Sequence, residues 1–242
     1  MNYVFVLAVG LIAGTISGIV GTGSSIMLLP VLAYAFGPKA AVPIMAVAAV
    51  MANISRVLAW WRDIDWHACA AYSVTGIPAA ALGARTLLLL PSRMVDLAIG
   101  LFLIAMVPFR HRLARRDIRI GLGHLAAGGA LIGFLTGIVV STGPLSVPLF
   151  LFYGLTGGAF LATEAASSFG LYLSKSVTFG RFGALDADVL LKGMIAGSSL
   201  MAGAFLAKRF VLKLKPDLFR VVMDGIMLLA GLSMLWNATH AN

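Results

Sequence analysis

The stretch Gly14-Thr15-Ile16-Ser17-Gly18-Ile19-Val20-Gly21-Thr22-Gly23-Ser24-Ser25-Ile26-Met27-Leu28-Leu29-Pro30 decides how this chain folds. An apolar run that starts near Tyr3 ends in a short patch of glycine, serine and threonine, and a truncated apolar run follows it. The same order recurs 119 positions later. Gly133-Phe134-Leu135-Thr136-Gly137-Ile138-Val139 repeats the first seven residues, Ser141-Thr142-Gly143-Pro144 repeats the polar patch, and Pro148 stands for Pro30. At that offset Arg56 falls on Lys175 and Arg62 on Arg181, with Gly83 close to Gly203. An ordered series of this kind marks an internal repeat. It divides the chain into a first repeat at 1–110, a basic connection at 111–120 and a second repeat at 121–242.

The setting of the repeat follows from composition. Of 242 residues, 60% are hydrophobic and 11% charged, and mean hydropathy is +0.99. A soluble domain carries about 25% charged residues, so too few charges are present to cover a water-facing surface. The chain therefore reads as an integral membrane protein, with room for roughly eight to ten crossings of about 20 residues each and no extramembrane domain. Eighteen basic residues against nine acidic give +9, which in a membrane protein reflects basic cytoplasmic loops rather than nucleic-acid binding. One cysteine, Cys69, excludes an intramolecular disulfide and a CxxC pair. His67, His111, His124 and His240 are dispersed without ligand spacing, so no metal or other cofactor is expected. The apolar run from Tyr3 lacks a basic n-region and a convincing cleavage site, and reads as a retained span.

Hydropathy gives eight long apolar segments, at 3–20, 40–61, 68–90, 93–109, 121–140, 158–180, 188–207 and 218–237, and two short ones, at 25–36 and 144–154. The short segments cover only part of the hydrocarbon core at about 1.5 Å per residue, as half-helices or parts of broken helices do. The fold class expected is an all-α polytopic membrane protein of about eight long transmembrane helices plus two half-helices. Ten of the eighteen basic residues lie in two connections, Arg110 to Arg119 and Lys208 to Arg220, which the positive-inside rule makes cytoplasmic. Each half then crosses an odd number of times, the second is inverted relative to the first, and both termini face outward.

Irregular backbone occurs inside a bilayer only where it is buried or lines a cavity. The two polar breaks, Gly21, Thr22, Gly23, Ser24 and Ser25 in one half and Ser141, Thr142 and Gly143 in the other, are candidates for such a cavity. Glycines let a ligand approach the main chain, and the N-termini of the short helices would offer N–H groups and the positive dipole end. That chemistry suits a small oxyanion. The glycines spaced by four, Gly10, Gly14, Gly18, Gly133 and Gly137, read instead as helix-packing positions.

Ionisable residues inside the spans are few: Arg56, Asp96, Glu164, Lys175 and Asp224. Such residues are costly in lipid and are functional candidates by default. Arg56 and Lys175 could supply positive charge to the anion, or could snorkel to the membrane surface. Glu164 could carry a proton, or could pair with Lys175 or Arg56. Asn53, one turn before Arg56, shares its helix face. Asp96 and Asp224 read as ties to Arg93 or Arg220. Trp60, Trp61 and Trp236 read as interfacial anchors, and the Asp63-Ile64-Asp65 turn offers too few ligands for a metal.

The motifs GTISGIVGTGSSIMLLP and GFLTGIVVSTGPLSVP, on either side of a central basic loop, resemble those of the TauE/SafE sulfite exporter family, over essentially the whole chain. Ser24-Ser25 and Ser141-Thr142 stand where typical members carry further glycines, and they add hydroxyls. The resemblance implies a secondary transporter in the bacterial inner membrane that moves sulfite or an organosulfonate, commonly outward, with a small sulfur-containing anion and the lipid bilayer as its partners. A passive anion channel and an accessory membrane subunit are the alternative classes. The oligomeric state is not legible.

Overall fold

The computed structural model describes residues 2–20, 23–113, 118–139 and 142–209, together with 224, 225, 228, 229, 231, 232, 235, 236, 238 and 239. The long apolar helices are α1 (Asn2–Val20), α3 (Pro38–Trp60), α4 (Trp66–Leu89), α5 (Ser92–Leu113), α6 (Leu122–Ile138), α8 (Gly157–Arg181) and α9 (Ala187–Arg209). The short ones are α2 (Ser24–Phe36) and α7 (Gly143–Tyr153), and a 3-10 turn, Trp61–Asp63, follows α3. Among the described residues there is no strand. The segment read as 218–237 lies mostly outside the described residues, and those of it that are described are helical. Helical stretches 40–63 and 187–207 are long and apolar enough to cross a bilayer on composition alone. α1, α2, α6 and α7 contribute shorter apolar stretches, whereas α4 and α8 carry polar residues along their length and α5 carries them at its two ends.

The distribution of side chains departs from that of a soluble protein, with large apolar groups exposed and several polar ones buried beside an apolar core. Val4, Ile12, Val74, Leu82, Leu89 and Leu131 are exposed, while Asn53, Arg56, Thr163, Glu164, Ser167 and Lys175 are buried. Apolar groups outside and polar groups inside suit a lipid solvent, where intramembrane charges face the bundle interior.

Glycine-lined seams set the packing. Along α1 and α9, Gly10 meets Ala196 and Ser199, Gly14 meets Leu200, and Gly18 meets Ala204 and Ala207, so the two helices run parallel. Along α4 and α6, Gly76 meets Gly129 and Gly83 meets Gly137, again in parallel register. A Cβ on Gly133 would run into the Gly76 carbonyl, and one on Gly14 into that of Leu200. These glycines therefore serve close backbone approach, in keeping with their spacing by four.

The remaining neighbours fix the centre of the bundle. α3 runs parallel to α9, with Ile44 and Val47 against Gly193 and Ala48 and Met51 against Gly197. α4 runs parallel to α8, with Asp65 bonded to Thr163 and Ile77 to Ser174. α3 crosses α8 antiparallel, with Arg56 bonded to Glu164 and Trp60 beside Gly158. Thus α1 pairs with α9 and α6 with α4, while α3 and α8 pair with each other. Trp61, Trp66 and Trp236 are exposed, Trp61 beneath the Arg62 guanidinium. Asp65 caps α4 by accepting from the His67 and Ala68 amides, each at 3.0 Å.

Candidate functional site

A small cavity lies where α3 and α8 cross, and the N-termini of both short helices open onto it. Gly23, Ser24 and Ser25 enter from α2, Thr142 and Gly143 from α7, Asn53 and Arg56 from α3, and Glu164 from α8. The structure thus brings together eight of the residues singled out in the sequence. Gly21, Thr22 and Ser141 lie outside the described residues.

The two breaks are built differently. Gly23 precedes α2 with φ 108° and ψ −18°, a conformation that costs a residue with a Cβ about 1–2 kcal/mol. Its counterpart Thr142 has φ −112° and needs no glycine. Neither helix has a side-chain cap, and the amides of Ser24 and Ser25, in the first turn of α2, have no acceptor within the helix. Ser24 and Ser25 are each only 7% exposed, and their hydroxyls make no hydrogen bond among the described residues. At α7, Pro144 has no N–H to give, and the Leu145 amide bonds back to the Thr142 carbonyl at 2.8 Å. The Thr142 hydroxyl is bonded to that of Thr136. Of the two helix ends, α2 offers the more free donors.

The charges sit on the two crossing helices. Arg56 Nη1 donates to Glu164 Oε2 at 3.0 Å, and both side chains are almost fully buried. Arg56 Nη2 donates to Asn53 Oδ1, whose own amide donates to the Ala49 carbonyl at 2.8 Å. Glu164 Oε1 accepts from Ser168 Oγ at 2.8 Å and from Ser146 Oγ at 3.2 Å. Arg56 is therefore buried in an ion pair and does not snorkel, and Glu164 has Arg56 as its partner.

Lys175 is placed elsewhere. Its ammonium donates to the Thr136 carbonyl at 2.7 Å and to that of Val139 at 3.0 Å, closing the C-terminal end of α6, where a cation meets the negative end of the helix dipole. It stands behind the second break and is not among the cavity-lining residues. Asp224 lies 3.3 Å from His111, a partner the sequence did not suggest. Arg220 and the side chain of Asp96 are outside the described residues.

Ser17, Ala49, Ala52, Ser168 and Tyr172 also line the cavity and were missed in the sequence. The repeat offset would have found two of them: Asn53 plus 119 is Tyr172, and Ala49 plus 119 is Ser168. The same offset relates Gly23 to Thr142 and Ser24 to Gly143, so four repeat-related pairs face one space.

A polytopic helical bundle with its polar groups turned inward onto a central cavity is the architecture of a membrane transporter. The chain belongs to the sulfite exporter TauE/SafE family, whose profile matches residues 6–234. It is similar to the probable membrane transporter protein YjnA of Bacillus subtilis (strain 168), with 25% identity over 96% of this chain and 99% of that protein. It is also similar to the probable membrane transporter protein y4hK of Sinorhizobium fredii (strain NBRC 101917 / NGR234), with 25% identity over 72% of this chain and 73% of that one. No solved structure matches it significantly.

Proposed function

We propose that this protein is a secondary transporter, working as an exporter, of sulfite or an organosulfonate, and that it binds the anion in the cavity between α3 and α8. The observation that carries the reading is the pair of half-helix N-termini opening onto one cavity that also holds a buried arginine and the hydroxyls of two buried serines. Backbone amides, hydroxyls and a guanidinium are the donors an oxyanion requires, and the first two approach it from opposite halves of the chain. The family to which the chain belongs points to the sulfur anion.

The reading extends to alternating access between two inverted repeats. It is supported by the antiparallel crossing of α3 and α8, which are third in their respective halves, and by the exchange of partners in which the first helix of each half packs on the fourth of the other. Inverted repeats with discontinuous helices that meet at the bilayer midplane bind small anions in this way in other secondary transporters. On this reading the long helices cross the bacterial inner membrane, the basic connections are cytoplasmic and both termini are outside.

The test is flux of labelled sulfite into proteoliposomes, run beside sulfate, methanesulfonate and chloride and read against pH and membrane potential. Saturable sulfite flux that competes with methanesulfonate supports the reading. Conductive currents faster than a carrier turns over would favour a channel, and no flux with any sulfur anion would overturn the proposal.

A further inference from the structure

We infer that Glu164 couples anion binding to one proton: the anion displaces the Glu164 carboxylate from Arg56, and the released carboxylate takes up the proton. The inference rests on the anion site proposed above. Arg56 is the one cation among the described cavity-lining residues, and Glu164 already occupies it. An anion that enters competes with that carboxylate for the guanidinium, and two anions sharing one small site raise the proton affinity of at least one of them. The balance is simple. A paired Glu164 carboxylate and Arg56, an incoming anion and a proton become an Arg56–anion pair and a neutral Glu164 carboxylic acid. The charge buried at the crossing is then the same before and after, which avoids the cost of an added unpaired charge inside the bundle.

The hydrogen bonds around Glu164 fit both states. Oε1 is held by the hydroxyls of Ser146 and Ser168, from α7 and α8, and Oε2 by Arg56. When Arg56 turns to the anion, Oε2 can carry the proton and donate it toward the anion, while Oε1 still accepts from both serines. The proton needs no separate route, because Glu164 and Arg56 face the same cavity.

α3 presents Arg56, and α4 presents the Tyr72 phenol, which lies within electrostatic reach of Glu164. α8 itself carries Tyr172 on the cavity and Lys175, whose ammonium is bonded to the end of α6. Asp63 and Asp65 stand at the N-terminal end of α8, beside Gly158 and Thr163, and Asp65 caps α4. The described residues of α7 carry no acid or base other than Tyr153, and α6 only the exposed His124.

Neither charge belongs to the four repeat-related pairs that face the cavity. The residue corresponding to Glu164 in the first half is Met45, and the residue corresponding to Arg56 is Lys175, turned away to α6. One acid and one base, both off the pseudo-symmetric pairs, make a single exchangeable site.

The test is calorimetric titration of purified full-length protein with sulfite, in buffers of different ionisation heat and at several pH values. Sulfite's own protonation is common to wild type and Glu164→Gln and cancels in their difference. Wild type is expected to take up about one more proton per anion than Glu164→Gln, and its affinity to rise about tenfold more per unit fall in pH. Equal proton counts and parallel pH curves would overturn the inference while leaving the anion site standing. If Glu164→Gln does not fold, wild type decides alone with methanesulfonate, which keeps its charge throughout: about one proton per anion supports the coupling and none overturns it. Failure of wild type to bind either anion removes the site itself, and the coupling with it.

Discussion

Replacing Arg56 by glutamine should destabilise the protein far more than replacing both members of its ion pair. Arg56 and Glu164 lie 3.0 Å apart with side chains 9% and 4% exposed, so removing the arginine leaves a buried carboxylate whose donors among the described residues are two serine hydroxyls. Breaking a buried pair from one side costs about 3–5 kcal/mol, whereas replacing both partners by neutral groups of similar shape is often close to neutral. At about 2–4 °C per kcal/mol for a chain of this size, Arg56→Gln should lower the melting temperature by on the order of 10 °C. Arg56→Gln/Glu164→Gln should recover most of that loss. The protein supplies its own probe, since Cys69 is the one cysteine and is buried, so a thiol-reactive fluorophore reports unfolding in detergent. A single variant that melts within about 2 °C of wild type, or a double variant no more stable than the single, would refute the buried pair as described.

Other outcomes follow from the same geometry. Ser24→Ala and Ser25→Ala should each weaken sulfite binding by roughly tenfold or more, since a hydrogen bond to a charged group contributes about 1.5–3 kcal/mol, with little change in melting temperature because these hydroxyls make no hydrogen bond among the described residues. Gly23→Val forces a β-branched residue to φ 108° and should impair both binding and stability, while Thr142→Val, at the corresponding place in the second break, should leave the backbone unstrained; equilibrium binding and thermal unfolding separate the two. Lys175→Met removes the donor to Thr136 and Val139 and should lower stability by about 1–3 kcal/mol, with sulfite affinity changing less than for Arg56→Gln. A larger effect on affinity than on melting would return Lys175 to the anion site.

The sequence located the elements closely because a bilayer makes apolar runs and their interruptions conspicuous. The short segment read at 144–154 is α7, Gly143–Tyr153, and the one read at 25–36 is α2, Ser24–Phe36. The breaks were visible because irregular backbone in lipid needs small and polar residues, and the repeat displayed them twice. Which side chains meet across the bundle was harder to read. Arg56 and Lys175 hold the same register in their halves, yet one turns into the cavity and the other to the end of α6, and nothing in their local sequence distinguishes them. Ser168 and Tyr172 went unnoticed because one polar residue on an amphipathic face says little by itself. They become legible as the next two turns after Glu164, and as the repeat partners of Ala49 and Asn53. The carboxylate's choice of Arg56 depended on the crossing of α3 and α8, a tertiary fact that periodicity does not encode.

The most direct measurement of the central claim is the position of a heavy-atom oxyanion in the folded protein. Selenite, a close chemical analogue of sulfite, gives an anomalous signal that locates the bound anion without reference to the rest of the density. One peak is expected in the cavity between α3 and α8, within hydrogen-bonding distance of Arg56 and of the Ser24 and Ser25 amides or hydroxyls, abolished by an excess of sulfite. A sulfite-displaceable peak at any other place, with none in this cavity, would contradict the claim.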